Sequence, residues 1–124
     1  MTLLFICGLY SLAFAIFHIF FWKIFDWKAE LKKLSFANKG IMQILNSRMI
    51  YFFCFVAFLC FFYPNELAES RLGNALLLGI SLFWLGRTIE QFIFLRANDK
   101  YLHMLTMIFA AGTILYALPV ISRL

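Results

Sequence analysis

Two histidines, His18 and His103, are the side chains of this chain best suited to chemistry. A histidine changes its charge near neutral pH, so it can transfer protons, and its imidazole is the commonest metal ligand in proteins. His18 lies toward the end of the first apolar stretch, and His103 lies at the start of the last. The two residues therefore indicate either proton transfer in a polar pocket or ligation of a metal ion or haem.

The stretches that carry these histidines belong to a very apolar chain. Hydrophobic residues make up 65% of its 124 residues, charged residues 14%, and the mean hydropathy is +0.89. A helix needs about 20 mainly apolar residues to cross a bilayer, because its backbone groups must hydrogen-bond within the segment. We predict an all-α, polytopic membrane protein that forms one domain over residues 1–124. Its four spans are predicted at residues 3–22, 41–63, 74–95 and 101–121.

Positive charges concentrate at the first and third connections between the predicted spans. These residues are Lys23, Lys28, Lys32, Lys33, Lys39 and Arg48 at the first, and Arg96 and Lys100 at the third. Positively charged connections face the cytoplasm, so both termini are expected on the non-cytoplasmic side. The short second and third connections predict antiparallel neighbours, and hence an up-down four-helix bundle.

Residues 25–36, within the first connection, combine apolar and basic side chains. Trp27, Leu31 and Leu34 share one helical face, while the neighbouring lysines can reach water or lipid headgroups. This pattern predicts a short cytoplasmic helix that lies at the membrane interface. The alternative is a solvated loop whose lysines only set the topology.

Small residues occupy the same helix faces as the two histidines. Ala15 lies three residues before His18, and Thr106 and Ala110 share the face of His103. Small residues mark the faces on which membrane helices pack, so both histidines are expected to point inward. At 1.5 Å per residue, each histidine lies roughly 3 to 6 Å from the cytoplasmic end of its helix. The two imidazoles are therefore expected at one membrane depth.

Further polar residues are predicted near that depth. Arg87 can pair with Glu90 at i+3 or with Gln91 at i+4. Charged residues inside a span are costly and are often functional, so this group extends the candidate site. The predicted binding residues are His18, Trp22, Gln43, Asn46, Arg87, Glu90, Gln91 and His103.

Three interpretations of this cluster remain open. In the first, the polar groups satisfy one another and fix the order of the helices. In the second, they line a pocket open to the cytosol for a small anionic molecule, a lipid headgroup or an ion, with Arg87 holding the anion. In the third, His18 and His103 ligate haem or a metal in a redox protein, although no HxxxH or CxxC spacing accompanies them. No catalytic residue is assigned, and enzymatic activity stays open.

Two stretches of the chain resemble segments of known sequences. They are similar to those of small, uncharacterised four-helix bacterial membrane proteins: Phe17-His18-Ile19-Phe20-Phe21-Trp22-Lys23 and Gly86-Arg87-Thr88-Ile89-Glu90-Gln91-Phe92. The resemblance implies a multi-pass protein of the bacterial cytoplasmic (inner) membrane, and it implies no activity.

The partners expected from the sequence are membrane lipids and other membrane proteins. A chain of this size can work as a homo-oligomer or as an accessory or structural subunit of a larger membrane complex. Its net charge of +5 is concentrated at two connections, which favours topology and anionic lipid over nucleic-acid binding.

Overall fold

The computed structural model describes residues 2–95 and 100–121, and every regular element in these two ranges is helical. No β-strand occurs in this part of the chain. In order, the helices are α1 (Thr2–Ile19), α2 (Phe21–Ile24), α3 (Trp27–Glu30), a 3₁₀ turn (Leu31–Lys33), α4 (Phe36–Phe62), α5 (Pro64–Glu69), α6 (Arg71–Phe94) and α7 (Lys100–Ile121).

Four of these helices, α1, α4, α6 and α7, are long and apolar enough to cross a membrane. The shortest has 18 residues and the longest 27. At 1.5 Å per residue, 18 residues extend about 27 Å, close to the thickness of the hydrocarbon core. The predicted all-helical class and the four long apolar helices are confirmed, while the sidedness of the termini stays a prediction.

Three helix boundaries differ from the predicted spans by three residues or more, and one of them is the start of α6 at Arg71 instead of residue 74. α1 ends at Ile19, three residues earlier than predicted, and the chain turns at Phe20 into the single turn of α2. α4 begins at Phe36, five residues earlier than predicted. There the hydroxyl of Ser35 accepts a hydrogen bond from the backbone N–H of Asn38 at 3.3 Å, which caps the first turn of α4.

The described chain divides into two units. The α1–α4 unit comprises Gly8–Phe62, and the α5–α7 unit comprises the described residues up to Cys7 and from Tyr63 onward. Each unit has its own helix–helix contacts.

In the α1–α4 unit, α1 and α4 pack in opposite directions. The ring of Phe14 lies 5.7 Å from that of Phe53, centroid to centroid. Nearer the start of α1, a Cβ atom added to Gly8 would lie 2.6 Å from Cε1 of Phe61. Gly8 therefore lets the Phe61 ring approach the backbone of α1, as small residues do at membrane helix contacts.

In the α5–α7 unit, α5 and α6 meet at a tight corner. The side chain of Ser70 accepts a hydrogen bond from the backbone N–H of Gly73 at 2.9 Å and so caps α6. Gly73 is buried against the backbone of Glu66 and Leu67 in α5, so closely that a Cβ atom would overlap both residues. Glycine is therefore required here by close approach.

α6 and α7 form an antiparallel helical hairpin within the same unit. The hydroxyl of Ser81 donates to the backbone carbonyl of Thr113 at 2.6 Å. One turn further along α6, the buried rings of Trp84 and Phe109 stack with centroids 5.6 Å apart and an interplanar angle of 21°. These contacts fix the register between the two helices.

A proline in α7 explains one contact with the first turns of α1. Pro119 has no N–H, so it cannot donate to the carbonyl of Leu115 four residues earlier. The thiol of Cys7 donates to that carbonyl at 3.6 Å, and the hydroxyl of Tyr116 donates to the carbonyl of Cys7 at 2.7 Å. Neighbouring side chains commonly satisfy backbone groups freed by proline in membrane helices.

Candidate functional site

Arg87 is a charged residue whose guanidinium is held in the α6–α7 hairpin by two contacts. Its guanidinium carbon lies 4.6 Å from the centroid of the Phe109 ring, which is a cation–π distance. Its Nη1 donates a hydrogen bond to Oε1 of Gln91 at 3.1 Å. Of the two partners predicted from spacing, the hydrogen bond therefore goes to Gln91, while the side chain of Glu90 is exposed.

Gln91 connects Arg87 to the facing helix. Only 2% of its surface is exposed. While Oε1 accepts from Arg87, Nε2 donates to the backbone carbonyl of Leu102 in α7 at 3.3 Å. Because both ends of this amide are engaged, Gln91 holds Arg87 at a fixed position relative to the first turn of α7.

The guanidinium retains unused hydrogen-bonding capacity. A guanidinium carries five N–H donors, and within the described ranges Arg87 uses one of them, on Gln91. Nearby hydroxyls are committed to their own helices, since Thr88 donates to the carbonyl of Trp84 at 2.8 Å and Thr106 to that of Leu102 at 2.8 Å. Arg87 is thus equipped to bind a further acceptor.

His103 lies in the first turn of α7, one residue after Leu102, and is exposed. The structure brings together Arg87, Gln91 and Phe109. Glu90 and His103 are both exposed, and the charge of Glu90 attracts the guanidinium. A role for these two residues in binding stays a prediction. Phe109 was not among the predicted site residues, although it covers one face of the guanidinium.

His18 is held by its own unit. Its Nδ1 lies 2.8 Å from the backbone carbonyl of Phe14, which indicates that Nδ1 carries a proton. The imidazole stacks on Phe21 with centroids 4.3 Å apart, and the Phe53 ring lies 5.2 Å away. The imidazole of His18 thus lies among aromatic rings, whereas the spacing along α1 predicted small residues beside it.

Asn46 is the predicted residue that contacts His18. Its Nδ2 donates to the backbone carbonyl of His18 at 3.0 Å, in the last turn of α1, where carbonyls lack partners within the helix. The other two predicted residues of this unit do not join them. Gln43 donates to the carbonyl of Lys39 at 3.1 Å, and the exposed ring of Trp22 lies 6.0 Å from that of Trp27.

The described residues offer no group of metal ligands around His18 or His103. Over residues 2–95 and 100–121, no group of three or more His, Cys, Asp or Glu side chains could hold a metal ion. His18 belongs to the α1–α4 unit and His103 to the α5–α7 unit. Their pairing around a metal or haem stays a prediction.

Comparison with known proteins adds no relative. No protein-family model matches the chain, and no curated protein or solved structure matches it either. A multi-pass membrane protein is supported by the length and composition of the four helices.

Proposed function

We propose that this chain is an integral membrane protein that binds an anionic group, a phosphate or a carboxylate, at Arg87. The observation that carries the proposal is that Arg87 is held by Phe109 and Gln91 while four of its five N–H donors form no hydrogen bond within the described ranges. The anion is either part of a small molecule or the headgroup of a membrane lipid.

The position of Arg87 makes an anionic partner favourable. Arg87 lies seven residues before Phe94, the end of α6, or about 10 Å along the helix axis. A charged side chain at the membrane centre costs about 2.5–3.5 kcal/mol on insertion scales and less toward the interface. Gln91 is neutral, and Glu90 attracts the guanidinium through its charge without a hydrogen bond, so a phosphate or carboxylate would add a hydrogen-bonded counter-charge.

The geometry around Arg87 also suits binding. A guanidinium matches phosphate and carboxylate with two parallel hydrogen bonds, which a lysine cannot form. The Phe109 ring fixes the plane of the guanidinium and Gln91 fixes one edge, so little side-chain freedom is lost when an anion binds. Whether His18 or His103 then transfers a proton stays a prediction, and so does enzymatic activity.

The same contacts are compatible with a purely structural role, in which Arg87 and Gln91 only join α6 to α7. The two roles predict different effects of Arg87→Gln on stability and on anion retention. If the role is structural, stability falls and retained anions do not change. If the residue binds an anion, retention falls beyond what the loss of stability explains.

We expect Arg87→Gln to weaken retention of anionic lipid at least about tenfold, because a hydrogen bond to a charged group contributes about 1.5–3 kcal/mol. Native mass spectrometry after purification in mild detergent measures the retained lipid. Phosphatidylglycerol, phosphatidylcholine and inorganic phosphate are added separately, so the assay distinguishes a lipid headgroup from free phosphate.

Arg48→Gln is the matched control for this experiment. Arg48 is also an arginine of a long apolar helix, with its guanidinium carbon 5.6 Å from the Tyr51 ring centroid, but it is exposed. The control is expected to retain anions as the unmodified chain does, and Arg87→Lys, which keeps the charge without the planar fork, is expected to lie between. Equal retention by Arg87→Gln and Arg48→Gln, both folded by circular dichroism, would contradict anion binding at Arg87.

We also propose that the connection between α1 and α4 faces the cytoplasm of a bacterial cell and that both termini face the other side. Lys23, Lys28, Lys32 and Lys33 are exposed in this connection, which supports the orientation through the positive-inside rule. The cytoplasmic (inner) membrane is the bilayer that this proposal assumes.

Cysteine labelling tests the orientation. Lys33→Cys and Glu69→Cys place exposed thiols in the first and second connections, in a Cys54→Ala background because Cys7 and Cys60 are buried. A membrane-impermeant maleimide should label Glu69→Cys in intact cells and Lys33→Cys only after permeabilisation. The opposite pattern would reverse the proposed topology.

A further inference from the structure

The chain between α1 and α4 is broken into separate turns by Asp26. Asp26 has φ 50° and ψ 49°, in the left-handed region, between α2 and α3. Aspartate adopts this conformation more readily than most residues other than glycine. The chain therefore changes direction at the second residue of the predicted interfacial helix (residues 25–36), and α3 and the 3₁₀ turn follow this residue.

The reversal turns two apolar side chains inward. Trp27 is 7% exposed and Leu31 is 1% exposed. The ring of Trp27 lies 5.6 Å from that of Phe21 and 6.0 Å from that of Trp22. These are two of the residues whose shared face was predicted to meet the membrane, but the protein itself covers them.

A different apolar set is exposed instead. Within six residues after α1, the exposed fractions are 50% for Phe20, 45% for Trp22, 52% for Ile24 and 45% for Phe25. Tryptophan is typical of the level of lipid headgroups, because its indole has an apolar body and an N–H that can meet water. The neighbouring Phe and Ile side chains extend the apolar part of this surface around Trp22.

Basic residues accompany this apolar set. Lys23, Lys28, Lys32 and Lys33 are exposed, and against them stand Asp26 and Glu30, so four positive and two negative charges leave +2 between residues 20 and 34. The Nζ atom of Lys33 is 3.4 Å from Glu30. Exposed lysines beside exposed aromatics complement a negatively charged lipid surface.

The position of this segment directly after α1 indicates that its partner is the surface of a bilayer. Only Phe20 separates the end of α1 from the start of α2, so if α1 spans a bilayer the segment must lie at its surface. We infer that the interfacial surface formed by Phe20, Trp22, Ile24 and Phe25, with the four lysines around it, binds the headgroup layer of an anionic bilayer. This inference does not depend on anion binding at Arg87.

Tryptophan quenching by brominated lipids tests the inference on the full chain in vesicles. Trp27→Phe retains Trp22, and Trp22→Phe retains Trp27, while Trp84 is present in both and cancels in the comparison. With bromine near the headgroups, we expect Trp27→Phe to be quenched about as strongly as the unmodified chain. Trp22→Phe should lose about half of that quenching or more, because Trp22 is the exposed interfacial tryptophan.

Lipid charge provides the second arm of the test. We expect quenching of Trp22 to be about twofold stronger in phosphatidylglycerol than in phosphatidylcholine at low salt, and this difference should vanish at about 0.5 M salt. The variant Lys28→Gln/Lys32→Gln/Lys33→Gln should lose the difference at any salt concentration.

Two results would overturn the inference. One is loss of quenching in Trp27→Phe rather than in Trp22→Phe, since Trp27 would then be the residue in contact with lipid. The other is quenching of Trp22 by aqueous iodide but not by bromolipid in folded protein, which would identify the segment as a solvated loop.

Discussion

Gly73→Ala is expected to destabilise the chain by about 3 kcal/mol, toward the upper end of the usual cost of overpacking. A Cβ atom at this position would overlap the carbonyl oxygen of Glu66 and the Cα and carbonyl oxygen of Leu67. These are backbone atoms, which cannot rotate away as a side chain can. Separating α5 from α6 would also strain the cap that Ser70 forms on the N–H of Gly73. A thermal or denaturant unfolding curve in detergent measures the effect.

Gly79→Ala and Gly86→Ala are the matched controls, because both glycines lie on the same helix. Nothing lies within 4 Å of a Cβ atom added at either position. Alanine favours the helix over glycine by roughly 1 kcal/mol in water, so the controls should be neutral or slightly stabilising. If Gly73→Ala unfolds at the same point as these controls, α5 does not contact α6 as described.

The four long helices were predictable because lipid allows few alternatives. A bilayer excludes unsatisfied backbone groups, so an apolar stretch of about 20 residues must be helical. Helix ends are less constrained. The run from Phe17 to Trp22 contains no glycine, proline or capping residue to indicate that α1 ends at Ile19. The start of α4 at Phe36 was not predicted, because the polar residues Asn38 and Lys39 in its first turn resemble a loop.

The candidate site was predictable where it depends on spacing within one helix. Arg87 and Gln91 are four residues apart, and this spacing predicts the hydrogen bond that forms. Phe109 could have been predicted in the same way, because a short connection between antiparallel helices places residues about equally far from that connection opposite each other. Periodicity indicates that Trp27 and Leu31 share a face, and both are buried. It could not indicate that this face packs on Phe21 and Trp22 instead of lipid, because the left-handed Asp26 reverses the chain just before Trp27.

Phe109→Ala is expected to be the second strongly destabilising change, because this ring is shared by two interactions. Phe109 is buried, stacks on Trp84 and lies beneath the guanidinium of Arg87. Truncation of a buried phenylalanine costs about 3–5 kcal/mol in soluble proteins. We expect about 3 kcal/mol here, because lipid already solvates apolar groups and the loss is mainly one of packing.

Phe92→Ala is the matched control for Phe109→Ala, since Phe92 is a phenylalanine of the same hairpin that is 60% exposed. Its expected effect is within about 0.5 kcal/mol. Phe109→Leu separates packing from chemistry: leucine keeps much of the volume and should restore most of the stability, but it offers Arg87 no aromatic face. If anion retention in Phe109→Leu equals that of the unmodified chain, the ring only fills space between α6 and α7. A selective fall in retention would mean that Phe109 positions Arg87 for its ligand.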